Sequence, residues 1–225
     1  ASNLSITYHT LLQNSELPYY LQALNSESSK YSLPYRITEC NNIYGGGKAG
    51  ASNVFASALW ALDLMWTIAE NNGHGINFHT GTGLFYSPVM MADGEVNAKP
   101  EYYAMLAFKY GSNGGTIIPA TLGDINYNCS AHACINADNT YSVTLINKEE
   151  TENINFNVQL SKPAATIKIE RLSAPSLASD KATFAGSSVH FDGTFVPGAA
   201  EKRAINQNSF TVNVPAGSAA VITVL

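Results

Sequence analysis

The chain predicts an α/β region followed by an all-β region, and three observations carry that prediction. Up to about residue 110, short β-type runs alternate with apolar stretches of helical spacing, the pattern that makes parallel βα units. Beyond about residue 111, β-branched and alternating runs separated by turn-rich stretches take over, the pattern of an antiparallel sandwich. Finally, a β-type run ends in Glu39 and leads through Gly45-Gly46-Gly47 into a long apolar helix. A carboxylate at a strand tip that feeds a loop and a helix is where barrel enzymes hold catalytic groups.

In order, residues 4–12 read as a strand running into a loop, and residues 17–31 as a helix with Tyr20, Leu21 and Leu24 on one face and Pro18 in its first turn. Residues 35–39 form the second strand, entered through Pro34. Ser52 is expected to cap a helix running to about Asn71, apolar at Val54, Phe55, Ala58, Leu59, Leu62, Met65, Trp66 and Ala69, with Gly73 ending it. Apolar almost all round, that helix must be clasped between a sheet and a further layer. A third strand is expected at 75–79, and Pro100 opens a helix through Phe108. Further strands are expected at 140–146, 153–160, 165–171, 209–214 and 219–225. The domains divide as 1–111 and 112–225. Three βα units cannot close a barrel of eight strands, so the first region is a small open sheet or the back of something larger.

With 225 residues, 45% of them hydrophobic and 13% charged, the chain can bury a sizeable core. The net charge of −5 argues against a nucleic-acid partner, no apolar run has the length of a membrane span, and Ala1-Ser2-Asn3 opens without the segments of a signal peptide. Of the three cysteines, Cys129 and Cys134 can close a small disulfide loop or supply part of a metal site with His132. The disulfide is the expectation, because no second ligand pair of zinc type exists; no metal or cofactor is expected. Cys40 is then left as an unpaired, small apolar residue. Asn3-Leu4-Ser5 and Asn128-Cys129-Ser130 are glycosylation sequons, and with the disulfide they lean toward a secreted protein.

Several motifs in succession resemble glycoside hydrolase family 79, the heparanase and β-glucuronidase family. They are Thr38-Glu39-Cys40-Asn41-Asn42, the Tyr44-Gly45-Gly46-Gly47 loop, the run from Ser52 to Asp63, Gly75-Ile76-Asn77-Phe78-His79, and Lys99-Pro100-Glu101-Tyr102-Tyr103-Ala104-Met105. The resemblance implies that residues 1–111 are the C-terminal part, about strands six to eight, of a (β/α)8 TIM barrel, and that a β-sandwich follows. It implies a retaining hydrolase of β-linked glucuronic acid, acting on a uronic-acid-containing oligosaccharide or glycoside, with Glu39 as nucleophile. Such an enzyme attacks the anomeric carbon with one carboxylate and uses a second carboxyl as acid and then base.

By the same resemblance Tyr44, the backbone of Gly46 and Tyr86 lie where family members hold the uronate carboxylate; phenolic hydroxyls and glycine N–H groups suit that task. Tyr44 packed under its loop is the plainer alternative. His79, at a strand end, either faces the sugar or is a structural histidine. Arg36, three residues before Glu39, should point to the opposite strand face. Tyr8 and His9, at the end of what would be the sixth strand, are the better groups to keep Glu39 ionised. The family's acid/base Glu, in an Asn-Glu pair, has no counterpart upstream of Glu39, so a companion N-terminal segment or chain is expected to complete the barrel. The competing function is a non-enzymatic sugar-binding or adhesion module working through the sandwich, against which stands the lack of Trp after Gly111.

Overall fold

The computed structural model describes residues 5–13 and 16–225. The first helix, α1 (Tyr8–Leu11), replaces part of the strand expected over 4–12, whose residue 4 lies outside the described residues. Local capping decides the outcome: Thr7 and Thr10 bond reciprocally in a capping box. Helix α2 (Leu17–Lys30) and strand β1 (Tyr35–Cys40) follow as the spacing predicts.

Helix α3 (Phe55–Glu70) starts two residues later than expected, with Val54 rather than Ser52 at its N-cap. The Ser52 hydroxyl does not cap it, and instead accepts from the Lys48 N–H at 2.9 Å. The first α3 amides are satisfied from far along the chain: Phe55 N–H donates to the Ser179 carbonyl (2.7 Å) and Ala56 N–H to that of Leu177 (3.0 Å). At the other end Asn72 takes a positive φ of 60° and turns the chain into β2 (Gly73–Phe78). β1 and β2 form a two-stranded parallel sheet. Leu21, Leu64 and Ile68 close one layer over it with Tyr35, Ile37 and Ile76, while the opposite face of α3 joins a larger core with the next helix. The clasp read from α3's composition is therefore real.

After β2 comes a hairpin that sequence reading did not expect, β3 (Val89–Ala92) with β4 (Glu95–Ala98), turned by Asp93 and Gly94, both at positive φ. Helix α4 (Pro100–Ser112) then packs along α3, with Pro100 in its first turn.

The second half contains β5 (Thr116–Ile118), β6 (Cys129–Ile135), β7 (Tyr141–Asn147), β8 (Ile154–Ser173), β9 (Thr183–Phe184), β10 (Glu201–Val214) and β11 (Ser218–Val224). They form one seven-stranded antiparallel sheet in the order β10-β8-β11-β7-β6-β5, with β9 beside β8. Two corrections follow. The strands expected at 153–160 and 165–171 are one strand, β8, and the two packed sheets of a sandwich are one sheet folded over. The fold lies where register slips between Ala204 and Ser209 on β10. Beyond it, the outer ribbon returns over the sheet, so that Phe156, Phe210 and Val212 share a core with Ile167, Ile169, Ala220 and Ile222. Arg171 Nη1 donates to the Asn213 carbonyl at 3.0 Å across this fold.

Strict alternation gives the sheet two buried faces. Val143, Leu145, Ala220 and Ile222 point into the folded-over core, whereas Ile146, Ala219, Val221 and Cys134 point to α3 and α4. The second of these cores crosses the boundary drawn at residue 111.

Candidate active site

Glu39 sits one residue from the C-terminal end of β1, exposed. Between Ile37 and Cys40 the β1–β2 register slips by one residue, and this bulge re-aims the strand end. Ile37 and Cys40 both join the helix-side layer, while Arg36, Thr38 and Glu39 are all exposed on the other side. The expectation that Arg36 and Glu39 lie on opposite faces is thereby corrected: a simple alternation rule fails across the bulge. Arg36 is nevertheless occupied, donating from Nε (3.1 Å) and Nη2 (2.5 Å) to Asn77 Oδ1 on β2.

Four hydrogen bonds tie together the ends of the two parallel strands and the loops that follow them. Asn41 Nδ2 donates to the carbonyls of His79 (3.0 Å) and Tyr86 (3.3 Å). Phe85 N–H donates to the Gly46 carbonyl (2.8 Å), and His79 N–H to that of Cys40 (2.9 Å). Tyr86, 6% exposed, places its hydroxyl 2.7 Å from His79 Nδ1. The glycine loop has a steric reason: Gly47 has φ 85°, and a Cβ there would stand 2.9 Å from Ser52 Oγ and 3.0 Å from the Tyr86 ring. Tyr44, at the loop tip, is fully exposed, so it is not packed under its loop.

Among the expected residues, the structure thus brings Glu39, His79, Tyr86 and the Gly46 backbone to one end of the parallel pair. Tyr8 and His9 are not with them. The Tyr8 hydroxyl donates to Glu150 Oε1 (2.9 Å) and His9 Nδ1 lies 3.5 Å from Glu150 Oε2, so both are bound to the turn after β7. The missed residues are Asn41, which closes the two loops, and Glu101. Glu101, in the first turn of α4, is 1% exposed with neither oxygen hydrogen-bonded. Burial pushes its pKa well above the carboxylate range, with neighbouring Asn41 acting the other way. It lies beneath the strand end, close enough to Cys40 to add to burial in raising the thiol's pKa.

The expected disulfide is excluded. Cys129 and Cys134 stand at opposite ends of β6 and face different cores, roughly 16 Å apart along an extended strand, and a bridge needs less than about 7 Å. All three cysteines are free. No group of His, Cys, Asp and Glu suited to a metal occurs among the described residues. His132 instead bonds to carboxylates of α3. In the second sequon, Asn128 Nδ2 donates to the Leu12 carbonyl at 2.8 Å. Asn3 lies outside the described residues.

Residues 131–221 match the family described as Glycosyl hydrolase family 79 C-terminal beta domain. Over these residues the chain is similar to the family 79 β domain. The family 79 match is accompanied by a β-glucuronidase of Aspergillus niger, 32% identical over 89 residues, covering 37% of this chain and 16% of that protein. A β-glucuronidase of Neurospora crassa is 30% identical over 77 residues, 33% of this chain and 14% of that protein. The chain therefore spans only a small part of the curated relatives it matches. The fold extends further than the family 79 match. A 4-O-α-L-rhamnosyl-β-D-glucuronidase from Fusarium oxysporum superposes with a TM-score of 0.77 at 19% identity, over 97% of this chain and 50% of that one. An α-L-arabinofuranosidase from Thermotoga maritima superposes with a TM-score of 0.71 at 12% identity, over 100% and 51%.

Proposed function

We propose that this chain is part of a retaining glycoside hydrolase that releases β-linked glucuronic acid, with Glu39 as nucleophile. The observation that carries the reading is the convergence of Glu39 with the Gly46–Phe85 and His79–Tyr86 contacts at one end of the parallel strands, beside a stretch similar to the family 79 β domain. Family 79 relatives named β-glucuronidase support the substrate class.

In this reading the Glu39 carboxylate attacks the anomeric carbon. The leaving-group oxygen takes a proton from an acid/base carboxyl on a companion segment that completes the barrel. The resulting glycosyl ester is hydrolysed by water, which gives its proton back to that carboxyl. Tyr86 has one hydroxyl proton. With His79 Nδ1 carrying a hydrogen and donating to the Tyr86 oxygen, that proton is free for the uronate carboxylate. Tyr44 closes from solvent onto the same group, and the protein is secreted. A free-standing sugar-binding module is the weaker reading, because the sheet shares its core with α3 and α4.

The test is covalent trapping with a 2-fluoro-glucuronosyl fluoride in the presence of the companion segment. Labelling is expected on the peptide containing Glu39, and Glu39→Gln should lose labelling and turnover by on the order of 10^3-fold or more. Labelling of another carboxylate, or an active Glu39→Gln, overturns the assignment.

A further inference from the structure

We propose that the joint between α3 and the β6–β7 face of the sheet is a proton-operated latch, closed while His132 is an imidazolium and slackened at the last turn of α3 when His132 is neutral. This inference is independent of the reaction assigned to Glu39.

His132 is 4% exposed on β6 and touches carboxylates with both ring nitrogens. Nδ1 lies 2.7 Å from Glu70 Oε1 and Nε2 lies 3.1 Å from Asp63 Oδ1. Carboxylates only accept, so both contacts are hydrogen bonds only when both ring nitrogens carry hydrogen. Asp63 has other donors: Lys148 Nζ at 2.8 Å and Ser130 Oγ at 2.6 Å. Trp66 stacks flat on the imidazole, with centroids 5.4 Å apart and planes 5° from parallel. It is backed by Phe108 of α4. Asp63, Trp66 and Glu70 follow helical spacing, so one stripe of α3 carries the whole joint.

The charged groups facing the ring are thus Asp63 and Glu70 from α3, and Lys148 from the turn after β7. Ser130 comes from β6 itself, and α4 contributes only apolar backing through Trp66. Glu149, next to Lys148, is turned to the Asn128 N–H at 2.6 Å. Burial opposes charge on His132, but the bonds to Asp63 and Glu70 and their negative charges outweigh it, raising the pKa. The stabilisation is therefore complete below the unfolded value of about 6.5, and is lost as pH rises through the higher folded value.

The two carboxylates do not respond alike. Asp63 keeps Lys148 and Ser130 when the ring loses its proton, whereas Glu70 is left opposite a nitrogen lone pair. The Glu70 side chain, 32% exposed, already reaches water. It also sits at the C-terminal end of α3, where a negative charge opposes the helix dipole. The proton thus leaves from Nδ1 to solvent, Glu70 swings outward, and Nε2–H stays on Asp63.

The test uses the full chain between about pH 5 and about pH 9. The His132 ring proton resonance should titrate with a midpoint above 6.5. Amide exchange in the last turn of α3, corrected for intrinsic rates, should accelerate about tenfold more across that range than in His132→Gln. Glu70→Gln, which keeps the fold if His132→Gln does not, should lower the affinity of His132 for its proton about tenfold. A midpoint below 6.5, equal exchange profiles in wild type and His132→Gln, or a His132 titration unmoved by Glu70→Gln overturns the latch.

Discussion

Gly47 shows how one missing side chain shapes the site. Its φ of 85° suits glycine, and any Cβ would press on Ser52 and on the ring of Tyr86. Gly47→Ala should therefore cost about 1–3 kcal/mol and tilt Tyr86 away from His79. Chemical denaturation measures the first effect, and the Tyr86–His79 contact in a crystal structure of the variant the second. Glu39 was legible because a carboxylate between a short strand and a glycine loop is conspicuous. Arg36 was misjudged because a one-residue bulge reverses alternation without marking the sequence. Tyr8 and His9 were assigned to the site from a strand that is a helix. Thr7 and Thr10, which make that helix, have the spacing of reciprocal caps, so this signal was available. The loop-closing role of Asn41 was not, because it depends on two carbonyls brought near only by the fold.

Among the elements, those with strong periodicity or β-branched runs (α2, α3, α4, β1, β7, β11) lie where the pattern places them. β6 escaped notice because only its last residue, Ile135, is β-branched, and His132 is buried within it only because α3 supplies its partners. The β3–β4 hairpin carried an Asp-Gly turn signal that could have found it. β9 is two residues long, yet it places Phe184 fully inside the core against Tyr110 (5.1 Å) and Phe195 (6.3 Å). Phe184→Ala should destabilise the chain by about 3–5 kcal/mol, as deletions of buried rings do. Thermal unfolding should show it as a single shifted transition; a loss under 1 kcal/mol, on the order of a surface change, would mean that this corner is loosely packed.

For the whole molecule, the important fact is that one core runs from α3 and α4 into the sheet, joining Phe55, Leu62 and Trp66 to Ile146, Leu172, Phe184 and Val221. The composition shift near residue 111 is real, but it marks a change of secondary structure within a shared core. Sequence patterns report local period well and shared burial poorly. A fragment of residues 112–225 would expose the Ile146, Ala219 and Val221 face to water. It is expected to lose near-UV dichroism and to bind hydrophobic dyes, whereas the intact chain should do neither. A fragment with a sharp, cooperative melt would show that the sheet stands alone.

The carbonyls of Leu177 and Ser179 that finish the start of α3 have a consequence for synthesis. When Phe55 and Ala56 leave the ribosome, their acceptors have not yet been translated. At cellular elongation rates the wait is on the order of ten seconds. During it an apolar helix stays frayed at its first turn, with its sheet-facing side bare. The nascent chain is therefore most exposed to chaperones and proteases before Ser179 emerges, and the loop between β8 and β9 completes a helix begun in its first third.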